Sequence, residues 1–138
     1  MLYHSFLKIS VLVSTFYLSA LIVSSSWDCI GGYTPHIGQQ AFCQLSLTDK
    51  TTQILCTGSS CWNRALNTAW IPMHRCLWVD RRRVHGLSQQ QCAGYEWEKD
   101  RGPYHSGAYA CTNPGGHHYI CDVPPQKTGH MTCDDCDF

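Results

Sequence analysis

Oily residues are scarce in this chain. After Ser26, Leu, Ile, Val and Phe number only 16 of 112 residues, about 14 %, below the roughly 20 % at which apolar burial alone stops supporting a fold. Charge of one sign is missing too: ten Lys and Arg balance ten Asp and Glu. There is thus no basic arm for nucleic-acid phosphates and no acidic tail. No apolar run after Ser26 approaches the roughly 20 residues that cross a bilayer, so no membrane association is expected once residues 1–26 are removed. Asn63, Asn67 and Asn113 each miss the Asn-x-Ser/Thr pattern, which excludes N-glycosylation. Glutamate occurs only at 96 and 98. Ser59, Ser60, His74 and Asp80, or His85, Glu96, Glu98 and His105, can be assembled into catalytic sets on paper. No motif fixes any of them, so no enzyme is expected.

What is present reads as a secreted, cross-linked protein. Residues 1–26 carry Lys8, an apolar run from Val11 to Val23 and then Ser24-Ser25-Ser26, the pattern of a secretory signal with small residues at its cleavage site. The remaining 112 residues hold ten cysteines, seven histidines and 12 aromatics. Disorder by composition goes with high net charge and few aromatics, and neither applies. Cross-links must therefore replace the missing core, as disulfides worth about 2–4 kcal/mol each or as metal sites whose binding energy becomes folding energy.

The cysteines at 29, 43, 56, 61 and 76, then at 92, 111, 121, 133 and 136, divide five and five. His36-Ile37-Gly38 ahead of Cys43 matches His105-Ser106-Gly107 ahead of Cys111, and both follow Gly, Tyr and Pro. Ile54-Leu55-Cys56 matches Tyr119-Ile120-Cys121, and Thr57-Gly58 before Cys61 matches Thr128-Gly129 before Cys133. Two copies of one module, 27–84 and 85–138, are the economical reading. Each contains a hairpin. Ala41–Leu47 and Thr52–Cys56 flank Thr48-Asp49-Lys50, while Ala108–Cys111 and His118–Val123 flank Asn113-Pro114-Gly115-Gly116. In each, the two strand cysteines should lie near one another. Between the hairpins the pattern predicts a short helix over Trp62–Ala69, a strand over Leu77–Val84, and a helix opened by the capping box Ser88-x-x-Gln91.

Five disulfides are the plain reading of ten secreted cysteines. The odd count per module admits two alternatives. Either a bridge crosses between modules, or one disulfide per module leaves three Cys and one His, the tetrahedral set of a structural zinc site. Cys133-Asp134-Asp135-Cys136 has the common zinc chelate spacing, and Cys56-x₄-Cys61 is a looser version. As a redox pair Cys133 and Cys136 lack the positive charge or helix N-terminus that activates a thiol. The preferred scheme holds two structural zinc ions, one on His36, Cys43, Cys56 and Cys61. The other sits on four of His105, Cys111, Cys121, Cys133 and Cys136. His74, His130 and His117-His118 are alternative nitrogen donors. Cys29–Cys76, and Cys92 with the leftover cysteine, would then be the bridges. Arg81-Arg82-Arg83 reads as a solvated strand edge in preference to a phosphate or nucleic-acid contact, and a proteolytic processing site is a further reading.

The expected fold is thus a small β-rich, cysteine-rich protein of two repeated hairpin modules cross-linked by zinc and disulfides, and monomeric. Trp27-Asp28-Cys29, Tyr109-Ala110-Cys111 and Tyr119-Ile120-Cys121 repeat an aromatic-x-Cys element. With the overall plan it resembles the small secreted cysteine-rich, zinc-binding avirulence effectors of rust fungi. The resemblance implies delivery into plant tissue and, in one alternative, into host-cell cytoplasm. It implies binding to a host plant protein to modulate immunity, and recognition by a host immune receptor. Trp62, Trp70, Trp78 and Trp97 are candidates either for a partner surface or for the small core. The other readings are a disulfide-only apoplastic toxin, inhibitor or glycan-binding module, and a small secreted hydrolase such as a ribonuclease.

Overall fold

The computed structural model describes residues 25–36, 38–79, 87–101, 107–122 and 129–137. His105, His85 and Arg81-Arg82-Arg83 lie outside them. The described residues form strands and one short 3₁₀ turn, Gly58–Ser60. The strands are β1 (Trp27–Asp28), β2 (Gly32–Pro35), β3 (Gln40–Gln44), β4 (Gln53–Thr57), β5 (Cys61–Asn63), β6 (Ile71–Trp78), β7 (Ser88–Cys92), β8 (Gly94–Glu98), β9 (Ala108–Thr112), β10 (His118–Cys121), β11 (Met131–Cys133) and β12 (Cys136–Asp137). Nine of them make an antiparallel sheet in the order β12-β4-β3-β2-β8-β9-β10-β6-β7, and three make a small sheet, β1-β11-β5.

Both expected hairpins are present. They widen into three-stranded meanders, β2-β3-β4 and β8-β9-β10, joined where β2 pairs with β8 through Tyr33 opposite Tyr95. Strand alternation sends one residue in two to the inner face. On that face lie Tyr33, Ala41, Cys43, Ile54 and Cys56 from one meander and Tyr95, Tyr109, Cys111, Tyr119 and Cys121 from the other, all buried. The strand cysteines do share a face as expected. Cys56 stands opposite Ala41 and Cys43 opposite Ile54, so the two are diagonal neighbours, and each bonds elsewhere.

The small sheet is stitched onto this face by buried phenols. The Tyr95 hydroxyl donates to the Cys29 carbonyl at 2.7 Å and accepts from the Met131 amide at 2.9 Å. Tyr109 donates to the Ile30 carbonyl at 2.9 Å. A buried hydroxyl with both roles filled avoids the desolvation cost of an unpaired polar group.

The sheet does not stop at the boundary near residue 84. β6, which follows the first meander in sequence, pairs with β10 of the second, and β12, at the far end of the chain, pairs with β4 of the first.

Three local expectations are corrected. Trp62–Ala69 is not helical. Asn63 is fully buried at the end of β5, and its side-chain oxygen accepts from the amides of Ala65 and Leu66. That local bond competes with helical pairing, and Asn67 closes the turn at φ 54°. The strand expected over Leu77–Val84 is Ile71–Trp78 instead, with residues 80–84 outside the described set. Ser88–Cys92 is a strand and not a capped helix, because its backbone pairs with β6 and tertiary pairing outweighs a two-turn propensity.

Candidate functional site: the sulfur clusters and the surface around them

All ten cysteines are oxidised, as Cys29–Cys43, Cys56–Cys136, Cys61–Cys133, Cys76–Cys121 and Cys92–Cys111. This overturns the zinc scheme. Zinc binds thiolates, and no cysteine here keeps one. Cys43, Cys56, Cys61, Cys111, Cys121, Cys133 and Cys136, named as ligands, are each spent on another sulfur. The inferred bridge Cys29–Cys76 is likewise replaced, by Cys29–Cys43 and Cys76–Cys121. Sulfurs do crowd together. Cys29, Cys43 and Cys133, then Cys56, Cys61 and Cys133, then Cys92, Cys111 and Cys121 each lie within 4.8 Å of one another. Every group contains a bonded pair, so proximity reflects neighbouring disulfides and not a chelate.

The histidine of the first proposed site has a plainer setting. His36 is exposed and meets Phe42 edge-on at 5.4 Å between ring centroids. The repeated His-x-Gly signal resides in its glycines: Gly38 has φ +97° and Gly107 has φ +106°, values that favour a residue without a Cβ. The motif thus places a turn glycine ahead of a cysteine strand.

Strand register explains the pairing. Cys136 faces Cys56 across β12 and β4, and Cys133 faces Cys61 across β11 and β5. Cys121 and Cys76 are the next pair along from Ile120 opposite Leu77. All three bridges join directly opposed residues of antiparallel neighbours, which sit closest where no ladder hydrogen bonds intervene. Cys76 reaches that place through a bulge. Met73 and Cys76 are three apart yet both buried, because β6 gains a residue against β7 there and Arg75 takes φ 55°. Arg75 then forms an ion pair with Asp122 at 2.9 Å. Sequence inspection misses this bulge, since no Gly or Asn marks it.

Cys133-Asp134-Asp135-Cys136 is neither a chelate nor a redox pair, since its two sulfurs belong to different bridges and different sheets. The intervening acids are tied down: Asp135 accepts from Thr57 at 2.7 Å, and Asp134 pairs with Arg64.

Around this frame the tryptophans divide. Trp78 and Trp97 pack against the core. Trp97 meets Tyr109 edge-on at 5.1 Å, and Trp78 stacks on Tyr119 at 5.9 Å. Trp70 is half-buried. Trp62 is 40 % exposed on β5. An apolar concavity of about 490 Å³ is lined by Leu77, Trp78, Val79, Leu87 and Ile120, together with Arg75, Arg101 and Asp122. Val79 and Leu87 are half exposed there. A larger cleft of about 680 Å³ runs beside Lys50, Glu96, Trp97 and Asp100; Lys50 bonds both Glu96 and the Trp97 carbonyl.

Burial shifts the phenols and one imidazole. Desolvation raises Tyr95 far above its ordinary value, pushes Tyr109 up to about 12, and raises Tyr33 as well. His130 is lowered by burial, with Asp28 partly opposing. Five disulfides mark a secreted or extracellular protein, and among the described residues no helix is long and apolar enough to cross a membrane. No protein-family model matches this chain, and searches of curated proteins and of solved structures give no match either.

Proposed function

We propose that this protein is a secreted effector of the avirulence type that works by binding a host plant protein in the oxidising space outside the cell. The carrying observation is the cross-linking: every cysteine is oxidised, and three of the five bridges tie residues before position 79 to residues after position 87. Such stapling fixes a surface at low ordering cost, which serves recognition. It also favours the extracellular reading over action in a reducing cytosol. The apolar concavity around Leu77, Val79 and Ile120 is the first surface to test.

We further propose that the two halves descend from one duplicated unit whose fourth strand is exchanged, β6 lying on the second half and β12 on the first. The bridge scheme supports this. Counting five cysteines per half, first bonds second within each half, third bonds the other half's fifth, and fourth bonds fourth. That reciprocity is the pattern of a two-fold interface, in which residue i meets j and j meets i. The fourth cysteine, odd within its own half, meets its counterpart.

The test is infiltration of purified oxidised protein into leaves of several host genotypes, beside reduced and alkylated protein and a Leu77→Asp, Val79→Asp variant. A genotype-dependent immune response to the oxidised form, weakened at least tenfold in the variant, is expected. Equal responses to the oxidised and alkylated forms, or RNA or glycan cleavage by the purified protein, would overturn the assignment.

A further inference from the structure

The sulfurs are not equally accessible. Nine of the ten cysteines are buried, and Cys136, on the two-residue strand β12, is the one with solvent access. Its partner Cys56 is 2 % exposed. The Cys56 sulfur lies within 4.8 Å of both sulfurs of Cys61–Cys133. Cys133 in turn lies 3.7 Å from the Cys29 sulfur of Cys29–Cys43. Three disulfides thus stand in contact, with one end open to solvent.

We infer that Cys56–Cys136 is a thiol-exchange site through which one reduction event unfastens two of the three bridges between the halves. A small thiol, as thiolate, attacks the Cys136 sulfur. The Cys56–Cys136 bond breaks and Cys56 leaves as thiolate. A second thiol releases the first from Cys136 as the small-molecule disulfide, so two thiols are oxidised and one protein disulfide is reduced. Attack at Cys56 is barred by its burial, which fixes the direction. A buried thiolate is poorly solvated, and it lies beside the next disulfide. Attack at Cys61, one of the two sulfurs within reach, forms a Cys56–Cys61 bond, and Cys133 leaves as thiolate with no further electrons consumed. β11 and β12 then have no covalent tie to the rest of the sheet. A last exchange, Cys133 onto Cys29, would move the thiolate to Cys43 and fasten β11 to Cys29. The other pair of neighbouring bridges, Cys76–Cys121 and Cys92–Cys111, has no exposed sulfur and stays closed. This inference does not depend on the effector reading.

The experiment is partial reduction of the full oxidised protein with limiting dithiothreitol near pH 8, acid quenching, alkylation and peptide mapping of the species carrying two thiols. Expected is one label on Cys136 in nearly every molecule, with the second shared among Cys56, Cys133 and Cys43. Cys76, Cys92, Cys111 and Cys121 should be unlabelled. The Cys61→Ser, Cys133→Ser variant should confine the second label to Cys56. Lowering the pH from 8 to 6 should slow opening about 100-fold, since the thiolate is the attacking species. A second label confined to Cys56 in the wild type, or found on Cys61, would overturn the exchange that frees β11 and β12, and first labels among the four sealed cysteines would overturn the entry point. Wild-type mapping alone decides both if the variant fails to fold.

Discussion

The half built on β2-β3-β4 and the half built on β8-β9-β10 share a bridge pattern and differ in what covers it. In the first, the fourth strand is β12, two residues long, and Cys136 meets solvent. In the second it is β6, eight residues long, with β7 beyond it and Cys76 sealed. The inner faces differ as well. Where the second half buries Tyr109 and Tyr119, the first has Ala41 and Ile54 at the positions of matching register. Aromatic mass and a long cover leave the second half's bridges better shielded from solvent than the first half's.

Removing equivalent bridges should break that balance most visibly. Cys76→Ser, Cys121→Ser takes out two fully buried sulfurs and releases the β6-β7 hairpin, so a loss near about 5 kcal/mol is expected, the top of the range for native disulfides. Cys56→Ser, Cys136→Ser has the longer sequence separation, 80 against 45 residues. Chain entropy alone would rank it first, by about 0.5 kcal/mol. Because it exposes less, a loss near about 3 kcal/mol is expected. Denaturant unfolding of both variants decides whether burial or loop length governs, and the reverse order would show that loop length does.

Part of this contrast can be read from residues alone. The β-rich class, both hairpins, the five-and-five division and the need for cross-links follow from cysteine positions, turn residues and poverty in aliphatics. The odd cysteine count per module allows one bridge between modules as the alternative to zinc, whereas three of the five bridges cross. What stayed hidden was which strands meet. β6 and β12 lie far in sequence from β10 and β4, and pairing of that kind leaves no local trace. The His-x-Gly pattern reads as a metal ligand because histidine is chemically conspicuous, whereas what the described residues share is a positive φ at Gly38 and Gly107. The helix expected after Trp62 failed on one side chain, Asn63. The exposed apolar lining at Leu77, Val79 and Leu87 has no sequence marker.

Those two glycines sharpen the comparison. Gly38 has open space where a Cβ would be added, whereas a Cβ on Gly107 would overlap the Trp97 ring. Gly38→Ala should therefore cost about 1 kcal/mol for backbone conformation alone. Gly107→Ala should cost about 3 kcal/mol, since the ring must shift as well, and near-ultraviolet circular dichroism should report its displacement. Similar losses and spectra would mean that Trp97 does not rest on this turn.

The facing tyrosines at the centre differ in the same way. Tyr95→Phe removes a hydroxyl that joins both sheets and strands the Met131 amide in the interior, so a loss of about 2 kcal/mol is expected. Among the described residues Tyr33 has no such bonds, and Tyr33→Phe should stay within about 0.5 kcal/mol. Equal effects in thermal unfolding would remove the small sheet's anchor from the argument.

The smallest effect concerns His130, beside β11 where the halves meet. Its folded pKa is lowered by burial, so the unfolded chain binds its proton more readily. Stability from this group is present above the unfolded value of about 6.5. It declines as pH falls through that value toward the folded one, because protonation then favours the unfolded state. His130→Gln keeps a polar side chain that does not titrate there, and it should flatten this part of the stability curve while changing little at pH 8. Asp28 moderates the effect by favouring the charged imidazole, so Asp28→Asn should steepen the slope. Measuring the three curves between pH 5 and 8 separates this histidine from the exposed ones. If the slope survives His130→Gln, the acid sensitivity of the junction belongs to another group.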